Sequence, residues 1–376
     1  MNIDLWIPSL FESKGGIQVY SAYFLDAIRS IYPNSQQQIF VKHDIPSQIP
    51  PIPTNRTYLT SGKTSPGLRT AAFATQLIQT SLRHPPNLII STHLNFVLAA
   101  WLLKKLKNIP YWTVAHGIEA WNIQSPLLKI ALKEADRILA VSHYTRDRLL
   151  TEQNLYPAKI VVLPNTFNSD RFKINTKPRD LLAKHKLSPQ QPIILTVARL
   201  AEVERYKGYD RILEALPQVR AAIPDVHYII VGKGDDRARI EQTIDRLNLQ
   251  DCITLAGFVP DEQLCDYYNL CDVFAMPSKR EGFGIVYLEA LACGKPCLGG
   301  DRDGAIDALC GGELGALVNP DDVDAIAQTL IQILQGTYPN PMMYQPELLR
   351  EKVIEVYGFD KFQQILVDLI CEKSSY

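Results

Sequence analysis

The sequence carries almost no net charge, although 21% of its 376 residues are charged. Its 39 lysine and arginine residues are balanced by 40 aspartate and glutamate residues, which leaves a net charge of −1 at pH 7. Proteins that hold nucleic acid by bulk electrostatics carry a basic surplus. The balance therefore argues against a nucleic-acid-binding protein, and any phosphate-bearing ligand must be held by a few local cations.

Long hydrophobic runs are also missing. The apolar stretch at residues 96–103 comes nearest to a membrane segment, and it is far shorter than the ~20 residues that span a bilayer. Lys104, Lys105 and Lys107 follow it at once. Two interpretations fit this pattern: a helix in a membrane interface, or, as we favour, a buried helix with a solvated end. The first residues lack the basic stretch of a signal peptide and are expected to form a strand.

The first half of the chain has no cysteine, and none of the seven in the second half forms a Cys-x-x-Cys pair. Closely spaced pairs of that kind are typical of zinc sites, so we expect no structural zinc. Most of the cysteines stand within apolar runs, which predicts buried, reduced thiols in a cytoplasmic protein. The seven are Cys252, Cys265, Cys271, Cys293, Cys297, Cys310 and Cys371.

Short β-rich runs alternate with helix-length segments along the whole chain. Apolar strands separated by helices are typical of parallel sheets that are covered on both faces. Two such series predict an α/β fold with two doubly wound domains, with a boundary in the polar stretch at residues 168–186. The predicted strands are residues 3–9, 38–43, 88–93, 111–116, 137–142 and 160–165 in the first half, and 193–199, 227–232, 252–259, 272–278 and 295–300 in the second.

Distinctive residues follow many of the predicted strands. In open α/β sheets, ligands bind beyond the carboxyl ends of the strands. We therefore expect the binding site at these ends, in a cleft between two facing domains. The residues at such positions are Gly15, Gly16, His93, His116, Arg199, Val259 and Glu281.

Two acids, Glu281 and Glu289, stand eight residues apart around a Gly-Phe-Gly turn. A strand is predicted before the turn and a helix over residues 285–293 after it. Glycines let the loop approach a ligand closely, and the first amides of the helix can bind an anion. Eight residues at helical rise cover about 12 Å, which is wider than the roughly 5–9.5 Å between the acids of glycoside hydrolases. This spacing favours two acids at opposite ends of one long ligand, such as a sugar and a ribose on either side of a diphosphate. The alternative is one surface glutamate and one helix glutamate beside an ordinary turn.

Taken together, these motifs resemble the retaining glycosyltransferases of the GT-B fold, in the large family 4 that transfers sugars from nucleotide-sugar donors. The resemblance covers essentially the whole chain. It implies two facing Rossmann-like domains, at residues 1–170 on the acceptor side and 171–356 for the nucleotide sugar, and a last helix at 357–376 that crosses back to the first domain. The chain departs from the family pattern at Thr166, where glycine is usual. The resemblance is carried by the Gly15-Gly16-Ile17 loop, His116, Pro164-Asn165, Arg199 with Lys207-Gly208, residues 231–234, residues 257–259, Glu281 with Glu289, residues 294–296 and residues 315–320.

The resemblance implies that Arg199 and Lys207 neutralise the departing diphosphate. Negative charge grows on the leaving group as the glycosidic bond breaks, and fixed cations stabilise that charge. Arginine offers a planar fork of donors and lysine a point charge. The alternative is a solvated loop, because Glu202, Glu204 and Arg205 lie between the two cations.

The other donor contacts are also implied by the resemblance. Glu289 would accept hydrogen bonds from both ribose hydroxyls and Glu281 from the transferred sugar, while the backbone of Val259 would meet the base. Gly15 and Gly16 would let the first domain approach the phosphates or the acceptor, with an ordinary turn as the alternative. The amides of the Gly-Phe-Gly loop would face sugar and phosphate, at Gly282, Phe283, Gly284, Ile285 and Val286.

Three residues of the first half are expected beside the sugar and the acceptor. In the family, a histidine in the position of His116 contacts the donor sugar and shapes the acceptor side, and it need not be a general base. His93 and Glu119 are expected as acceptor-side neighbours. The alternative for a histidine at a strand end is a purely structural role.

The resemblance further implies a hexosyltransferase that retains the anomeric configuration and needs no metal or other cofactor. Arg302 stands between the acids of the Asp-x-Asp sequence at Asp301 and Asp303, which disfavours a metal site. Because Glu281 would bind sugar hydroxyls, no enzyme nucleophile is evident for the anomeric carbon. This fits front-side attack, in which the oxygen of the leaving phosphate takes the proton from the acceptor hydroxyl. Closure over the donor would exclude water.

UDP-glucose is the expected donor, followed by another UDP-hexose and by GDP-mannose. The expected acceptor is a growing glycan or a lipid-linked precursor in polysaccharide biosynthesis, which would bring the protein to the inner face of the cytoplasmic membrane by peripheral association. Two other functions stay open, a nucleotide-sugar 2-epimerase of the same fold and a non-catalytic sugar-nucleotide-binding protein. An NAD-dependent dehydrogenase is disfavoured because a full Gly-x-Gly-x-x-Gly is missing.

Overall fold

The computed structural model describes residues 2–11, 15–49 and 56–373. The chain divides into two units, of which the first comprises Met1–Thr166 with Asp360–Tyr376 and the second comprises Phe167–Phe359. The sequence-based boundaries at 170/171 and 356/357 lie within a few residues of this division. Each unit contains its own parallel sheet.

The first unit is built on seven described strands in the order β3-β2-β1-β4-β5-β6-β7. The order reverses between β1 and β4, and the carboxyl ends of strands at such a point are the usual ligand site of a doubly wound sheet. The strands are β1 (Ile3–Ile7), β2 (Gln37–Val41), β3 (Arg56–Thr60), β4 (Leu88–Ser91), β5 (Tyr111–Ala115), β6 (Arg137–Ala140) and β7 (Ile160–Val162). The helices are α1 (Gly16–Ile31), α2 (Pro66–Arg83), α3 (Val97–Lys107), α4 (Pro126–Glu134) and α5 (His143–Gln153).

The inner strand β1 shows why this sheet forms. Its five residues are all buried, as expected for a parallel strand covered by helices on both faces. The apolar run is interrupted by Asp4, whose carboxylate accepts a hydrogen bond from the Ser81 hydroxyl of α2 at 3.0 Å. Burial raises the pKa of Asp4 to about 7. One acid in the centre of the sheet therefore makes the stability of this unit depend on pH.

The second unit repeats the plan with six described strands in the order β10-β9-β8-β11-β12-β13. The order reverses between β8 and β11, so that the residues after these strands meet at one edge of the sheet. The strands are β8 (Ile193–Val197), β9 (His227–Val231), β10 (Ile253–Gly257), β11 (Val273–Met276), β12 (Cys297–Gly300) and β13 (Ala316–Val318). The helices are α6 (Arg179–His185), α7 (Tyr209–Ala222), α8 (Arg237–Arg246), α9 (Asp261–Leu270), α10 (Ile285–Ala292), α11 (Ala305–Ala308), α12 (Val323–Leu334) and α13 (Pro346–Tyr357).

The last helix, α14 (Phe359–Lys373), belongs to the first unit. Phe362 packs edge-on against Tyr20 and Phe24 of α1, with ring centroids 5.6 and 6.3 Å apart. Near the end of the helix, Glu372 pairs with Arg137 of β6 at 2.8 Å. Aromatic packing against α1 and an ion pair with β6 thus attach α14 to the first unit.

The predicted α/β class with two doubly wound sheets is confirmed, and a strand is present in every predicted segment. Two strands, β3 and β13, were not predicted. Both lie at an edge of their sheet, and β3 has no buried residue. In the described part of the chain, no helix has the length and apolar character needed to cross a membrane.

Candidate functional site

The loop before α10 presents a row of backbone amides without partners. Gly284 has a φ of +94°, and a Cβ there would lie 2.6 Å from the ring of Tyr287, so this turn requires glycine. Within the described residues, the amides of 282–286 donate no hydrogen bond, although all of these residues except Val286 are buried. Buried amides are nearly always paired. Free amides at the start of a helix therefore form a ready site for an anion.

Lys207 reaches Glu281 at the start of this loop. Lys207 Nζ lies 2.6 Å from Glu281 Oε2, and the two side chains are 17% and 18% exposed. The turn after Lys207 requires glycine, since Gly208 has a φ of +85° and a Cβ there would lie 2.2 Å from the Pro277 carbonyl oxygen. Burial acts to lower the pKa of Lys207, but the Glu281 carboxylate outweighs it, so the pKa is raised and the side chain is a cation. Lys207, predicted to bind the diphosphate, and Glu281, predicted to bind the sugar, thus form an ion pair with each other.

Arg199, which follows β8, forms an ion pair with Glu204. The Arg199 side chain is 68% exposed, whereas that of Glu204 is only 9% exposed. Glu204 lies in the 3-10 turn Glu202–Lys207 and does not project into solvent, so the solvated-loop alternative is wrong for this residue. Its Oε2 is buried without a partner in the described residues. The turn therefore contributes the cation Lys207 and an unused hydrogen-bond acceptor, Glu204 Oε2.

Glu289 lies one turn into α10 and contacts a residue that the sequence analysis missed. Tyr268 of α9 donates its hydroxyl to Glu289 Oε2 at 2.7 Å. Burial raises the pKa of Glu289 to about 7, and the hydrogen bond from Tyr268 opposes that rise. Within the described residues Oε1 accepts no hydrogen bond, so one carboxylate oxygen is held and the other is open to a ligand.

Asp303 supports the loop from behind. It is fully buried, and its Oδ2 accepts hydrogen bonds from the Ser278 hydroxyl and the Glu281 amide, each at 2.7 Å. Its Oδ1 accepts from the Ala305 amide at 2.9 Å, and burial raises the pKa of Asp303 to about 6. Asp303 therefore positions Glu281 by holding its backbone amide. In the described ranges, no cluster of three or more histidines, cysteines and acids could hold a metal.

In the first unit, His116 follows β5 and is held by three contacts. Its Nε2 lies 2.8 Å from the Thr92 carbonyl oxygen, its ring packs edge-on to Tyr20 at 5.0 Å, and its amide donates to Glu119 Oε1 at 2.5 Å. Burial lowers the pKa of His116 to about 4, so the ring is neutral at pH 7. Because a carbonyl oxygen only accepts, Nε2 carries the proton and Nδ1 is left as an acceptor.

His93 complements His116, with ring centroids 6.4 Å apart. Its Nδ1 accepts a hydrogen bond from the Asn95 amide at 3.1 Å, which leaves the proton on Nε2. Burial lowers the pKa of His93 to about 4 as well. The two neutral rings therefore provide one donor and one acceptor, the combination that a hydroxyl group requires.

A cavity of about 310 Å³ lies beside His93, at the carboxyl ends of β1, β2 and β4. Lys42 is half-buried there, and burial together with Arg69 lowers the pKa of Lys42. No carboxylate among the described residues pairs with Lys42, so within this part of the chain its charge is uncompensated. The lining residues are Pro8, Ser9, Ile17, Gln18, Lys42, His43, His93, Asn95 and Phe96.

The glycines at the start of α1 are not required by the fold. Gly15 has extended backbone, and a Cβ on Gly16 would meet nothing within 4 Å. A Cβ on Gly15 would meet only the end of the Gln18 side chain, at 2.9 Å. Their predicted role, close approach of a ligand, remains a prediction, but packing against the described residues gives no other reason for two glycines.

Val259, the residue predicted to meet the base, follows β10 and is buried. Its neighbour Phe258 is 60% exposed, and Lys233 Nζ lies 4.9 Å from the centre of the Phe258 ring. An exposed aromatic face with a cation above it suits stacking. No separate role was predicted for Phe258 from the sequence.

Two family models match this chain. The model described as "Glycosyl transferases group 1" matches residues 179–346, and the one described as "Glycosyltransferase Family 4" matches residues 36–171. The chain belongs to glycosyltransferase family 4. A GDP-mannose-dependent alpha-(1-6)-phosphatidylinositol monomannoside mannosyltransferase from Mycolicibacterium smegmatis is 32% identical over 230 residues, which are 58% of this chain. The chain spans 59% of the length of that relative.

Solved structures share the fold over the whole chain. Sucrose-phosphate synthase from Thermosynechococcus elongatus matches 100% of this chain and 99% of its own, with a TM-score of 0.81 and 22% identity. Anabaena HepE, solved in complex with UDP and glucose, matches 99% of this chain and 100% of its own, with a TM-score of 0.78 and 19% identity. At such identities the likeness shows the fold alone, and it confirms the predicted GT-B class.

The structure thus brings two of the predicted site residues of the second unit into contact. Lys207 touches Glu281, and the free amides lead from Glu281 to Glu289. Arg199 instead contacts Glu204. The supporting residues Glu204, Tyr268 and Asp303 gave no signal of their role in the sequence, because each acts through a contact between segments that are distant or irregular.

Proposed function

We propose that this family 4 member transfers a hexose from a nucleotide-sugar donor to a glycan or lipid-linked acceptor. The observation that carries the proposal is the row of free amides at residues 282–286, between the Lys207–Glu281 pair and Glu289. An anion at the amides would have a cation on one side and an open carboxylate oxygen on the other. A sugar diphosphate nucleoside offers groups that match each of these in turn.

Donor binding would rearrange the ion pair at Lys207. The diphosphate would replace the Glu281 carboxylate as the partner of Lys207, and Glu281 would then accept hydrogen bonds from sugar hydroxyls. Arg199, with its largely exposed guanidinium, would supply a second cation as charge grows on the leaving group. The open oxygen of Glu289 would accept from the ribose hydroxyls.

We further propose that the reaction retains the anomeric configuration and needs no metal. Both oxygens of Asp303 are engaged by groups of the chain, so the Asp-x-Asp sequence does not supply a pair of metal ligands. Lys207, Arg199 and the amides would carry the charge compensation that a cation otherwise provides. Since Glu281 is committed to Lys207 and the sugar, attack from the front face is the route that these residues support, with the leaving phosphate oxygen accepting the proton.

UDP-glucose is the donor that we propose, with GDP-mannose as the second candidate. HepE, which shares the fold, was solved with UDP and glucose, and the mycobacterial relative is named as GDP-mannose-dependent. Phe258 and Val259 would stack against and bond to the base, but neither distinguishes uracil from guanine by its chemistry. The donor is therefore the first quantity to measure.

We propose that the acceptor occupies the cavity of the first unit. His93 Nε2, which carries a proton, and His116 Nδ1, which does not, would together hold one hydroxyl of this substrate. Lys42, which has no carboxylate partner among the described residues, would suit an acceptor that bears a negative group. The name of the mycobacterial relative includes such an acceptor, a phosphatidylinositol. Glu119 would hold the His116 backbone and so act through it.

An apolar ridge on α3 supports peripheral association with the inner face of the cytoplasmic membrane. α3 buries Val97, Ala100 and Leu103, yet Leu98, Leu102 and Leu106, spaced one turn apart, are 41%, 39% and 56% exposed. The neighbouring helix α4 exposes Leu127 and Ile130. Among the described residues the nearby amino groups of Lys107, Lys129 and Lys133 have no ion-pair partner. Leucines flanked by lysines suit an anionic lipid surface.

Vesicle sedimentation tests this association. Leu102→Gln with Leu106→Gln should release the protein from vesicles that contain anionic lipid and leave its fold intact. Leu68→Gln changes an even more exposed leucine, on α2, and serves as the control. Equal binding by all variants would contradict the ridge.

Nucleotide release from a panel of UDP-, GDP- and ADP-sugars tests the transferase. Slow release from one donor without acceptor, lost in Lys207→Ala and kept in Lys279→Ala, is the expected result. Lys279 is a suitable control because it pairs with Asp321 on the exposed side of the unit. Exchange of sugar isomers without nucleotide release would indicate the 2-epimerase, and nucleotide affinity with no turnover on any acceptor would indicate a binding protein.

A further inference from the structure

Two cysteines on neighbouring helices of the second unit lie in contact. Cys265 is in α9 and Cys293 directly follows α10, and their sulfur atoms are 3.9 Å apart. A disulfide bond is about 2.05 Å long, so each sulfur would move by about 1 Å to form one. Cys265 is half-buried, whereas Cys293 is buried behind it. A dissolved reagent would therefore meet Cys265 first.

The surroundings give the two thiols different chemistry. Cys265 Sγ lies 3.4 Å from the side-chain amide of Asn269, which also donates to the Lys173 carbonyl oxygen at 2.9 Å. The pKa of Cys265 is lowered to about 6, mainly by the hydrogen bond with the Cys293 thiol and also by this amide. Burial opposes the change. The hydrogen bond to Cys265 and burial raise the pKa of Cys293. Of the two thiols, Cys265 is thus the one that ionises more readily, and Cys293 is the proton-bearing partner.

The same two helices carry the contact that holds Glu289. Tyr268 follows Cys265 by three residues on α9, and Glu289 precedes Cys293 by four, so each pair lies on one face of its helix. The Tyr268 hydroxyl and Glu289 Oε2 are 2.7 Å apart. The helices are therefore joined at two neighbouring points, one made of sulfur atoms and one that positions the proposed ribose ligand.

We propose that Cys265 and Cys293 form a redox-active modification site whose closure to a disulfide weakens nucleotide binding. Its reaction partner is a small disulfide such as oxidised glutathione. The Cys265 thiolate attacks one sulfur of that molecule and expels a thiolate, which leaves a mixed disulfide on Cys265. The Cys293 thiol then loses its proton to the expelled thiolate and attacks Cys265, which releases the second thiolate. Two protein thiols are oxidised and one small disulfide is reduced to two thiols.

The effect on binding rests on the proposed function, because it acts through Glu289. Drawing the sulfurs together pulls the end of α10 toward α9 and displaces the Tyr268–Glu289 contact one turn away. The free oxygen of Glu289 would then no longer align with a ribose held by the loop amides. Reduction with dithiothreitol would restore the alignment.

Peptide mass mapping of the full-length protein in mixtures of oxidised and reduced glutathione tests the site itself. The wild type should form one Cys265–Cys293 disulfide. Cys293→Ala, which cannot complete the second step, should retain glutathione on Cys265, and Cys265→Ser should form neither product. Cys310→Ser changes another half-buried cysteine and should behave as wild type. Absence of both the disulfide in wild type and the trapped glutathione in Cys293→Ala would overturn the proposal, as would a disulfide between other cysteines.

Calorimetry with UDP and with GDP tests the consequence. Oxidation should weaken the affinity of wild type for its nucleotide at least tenfold, reversibly, and should leave Cys265→Ser unchanged. Equal affinity of the oxidised and reduced wild type would overturn the coupling to α10. If the reduced protein bound neither nucleotide, the proposed function would fail while the mass-mapped disulfide would still stand, so the two failures are distinguishable.

Discussion

Lys207 and Glu281 neutralise each other in a mostly buried site, and this contact determines what each can do for a ligand. An incoming diphosphate must displace the Glu281 carboxylate before it gains the full attraction of Lys207. The pair therefore weakens binding of the anion while keeping a buried cation compensated in its absence. Glu281 therefore competes with the diphosphate for Lys207 until the hydroxyls of the sugar give Glu281 other partners.

Glu281→Gln should accordingly bind UDP more tightly and transfer sugar more slowly. The amide keeps the shape of the side chain but removes its charge, so Lys207 is left for the diphosphate. We expect affinity for UDP to increase about tenfold, equivalent to about 1.4 kcal/mol, and turnover to fall by a larger factor. Calorimetry and donor turnover measure the two effects, with Glu214→Gln as a control at an exposed ion pair. Weaker UDP binding in Glu281→Gln would refute competition for Lys207.

Glu289 should make nucleotide affinity depend on pH. Its pKa is about 7 in the free protein, and the ionised carboxylate is the form that accepts hydrogen bonds from hydroxyls. Affinity for UDP should therefore rise as pH rises through 7. Tyr268→Phe removes a hydrogen bond that lowers this pKa, so the midpoint should move to higher pH.

The difference in binding free energy between wild type and Glu289→Ala, measured from pH 5.5 to 9, isolates this effect from titration of the nucleotide. Glu289→Ala should bind about tenfold less tightly at pH 8, since a hydrogen bond to a charged group contributes about 1.5–3 kcal/mol. Tyr267→Phe, on the same helix but directed to His185, should leave the midpoint in place. A difference that is constant over this range would exclude Glu289 as the titrating group.

At the scale of secondary-structure elements, two helix starts use glycine for different reasons. Gly284→Ala should destabilise the second unit by about 1–3 kcal/mol, because the left-handed backbone and the ring of Tyr287 both oppose a Cβ. Gly16→Ala should leave stability unchanged or slightly higher, since nothing lies near its Cβ. Even so, it should slow transfer if a ligand approaches the start of α1. Thermal unfolding and turnover of both variants measure the contrast, and normal turnover in Gly16→Ala would remove Gly16 from the site.

The predictability of each element follows from its burial. The central strands were predictable because a short, mostly apolar run such as β1 suits a strand that is buried on both faces of a sheet. The edge strand β3, with the sequence Arg-Thr-Tyr-Leu-Thr and no buried residue, gives no such signal. In the site, the turn and the acids at Glu281 and Glu289 follow from local sequence. The contacts of Tyr268 and Asp303 depend on how separate helices and loops pack, which periodicity does not encode.

For the molecule as a whole, a few buried acids should govern how stability depends on pH. The net charge of −1 leaves little general repulsion at pH 7. Burial raises the pKa of Asp4 to about 7 and of Asp303 to about 6. Such an acid is ionised in the unfolded chain at a pH where the folded protein still holds it neutral. Stability from these groups is therefore complete below about pH 4 and is lost as pH rises through 6 to 7.

Asp4→Asn should remove this loss from the first unit. Asparagine keeps an acceptor for Ser81 and never ionises, so its advantage over wild type should grow from pH 4 to pH 7 and then level off. The rise in the pKa of Asp4 from 3.8 to about 7 corresponds to about 4 kcal/mol of unfolding free energy. All four tryptophans lie in the first unit, so their fluorescence during urea unfolding reports that unit alone. Asp368→Asn, an exposed acid of the same unit, is the control. An advantage of Asp4→Asn that is equal at pH 5 and pH 8 would show that Asp4 ionises as readily in the folded sheet as in the unfolded chain.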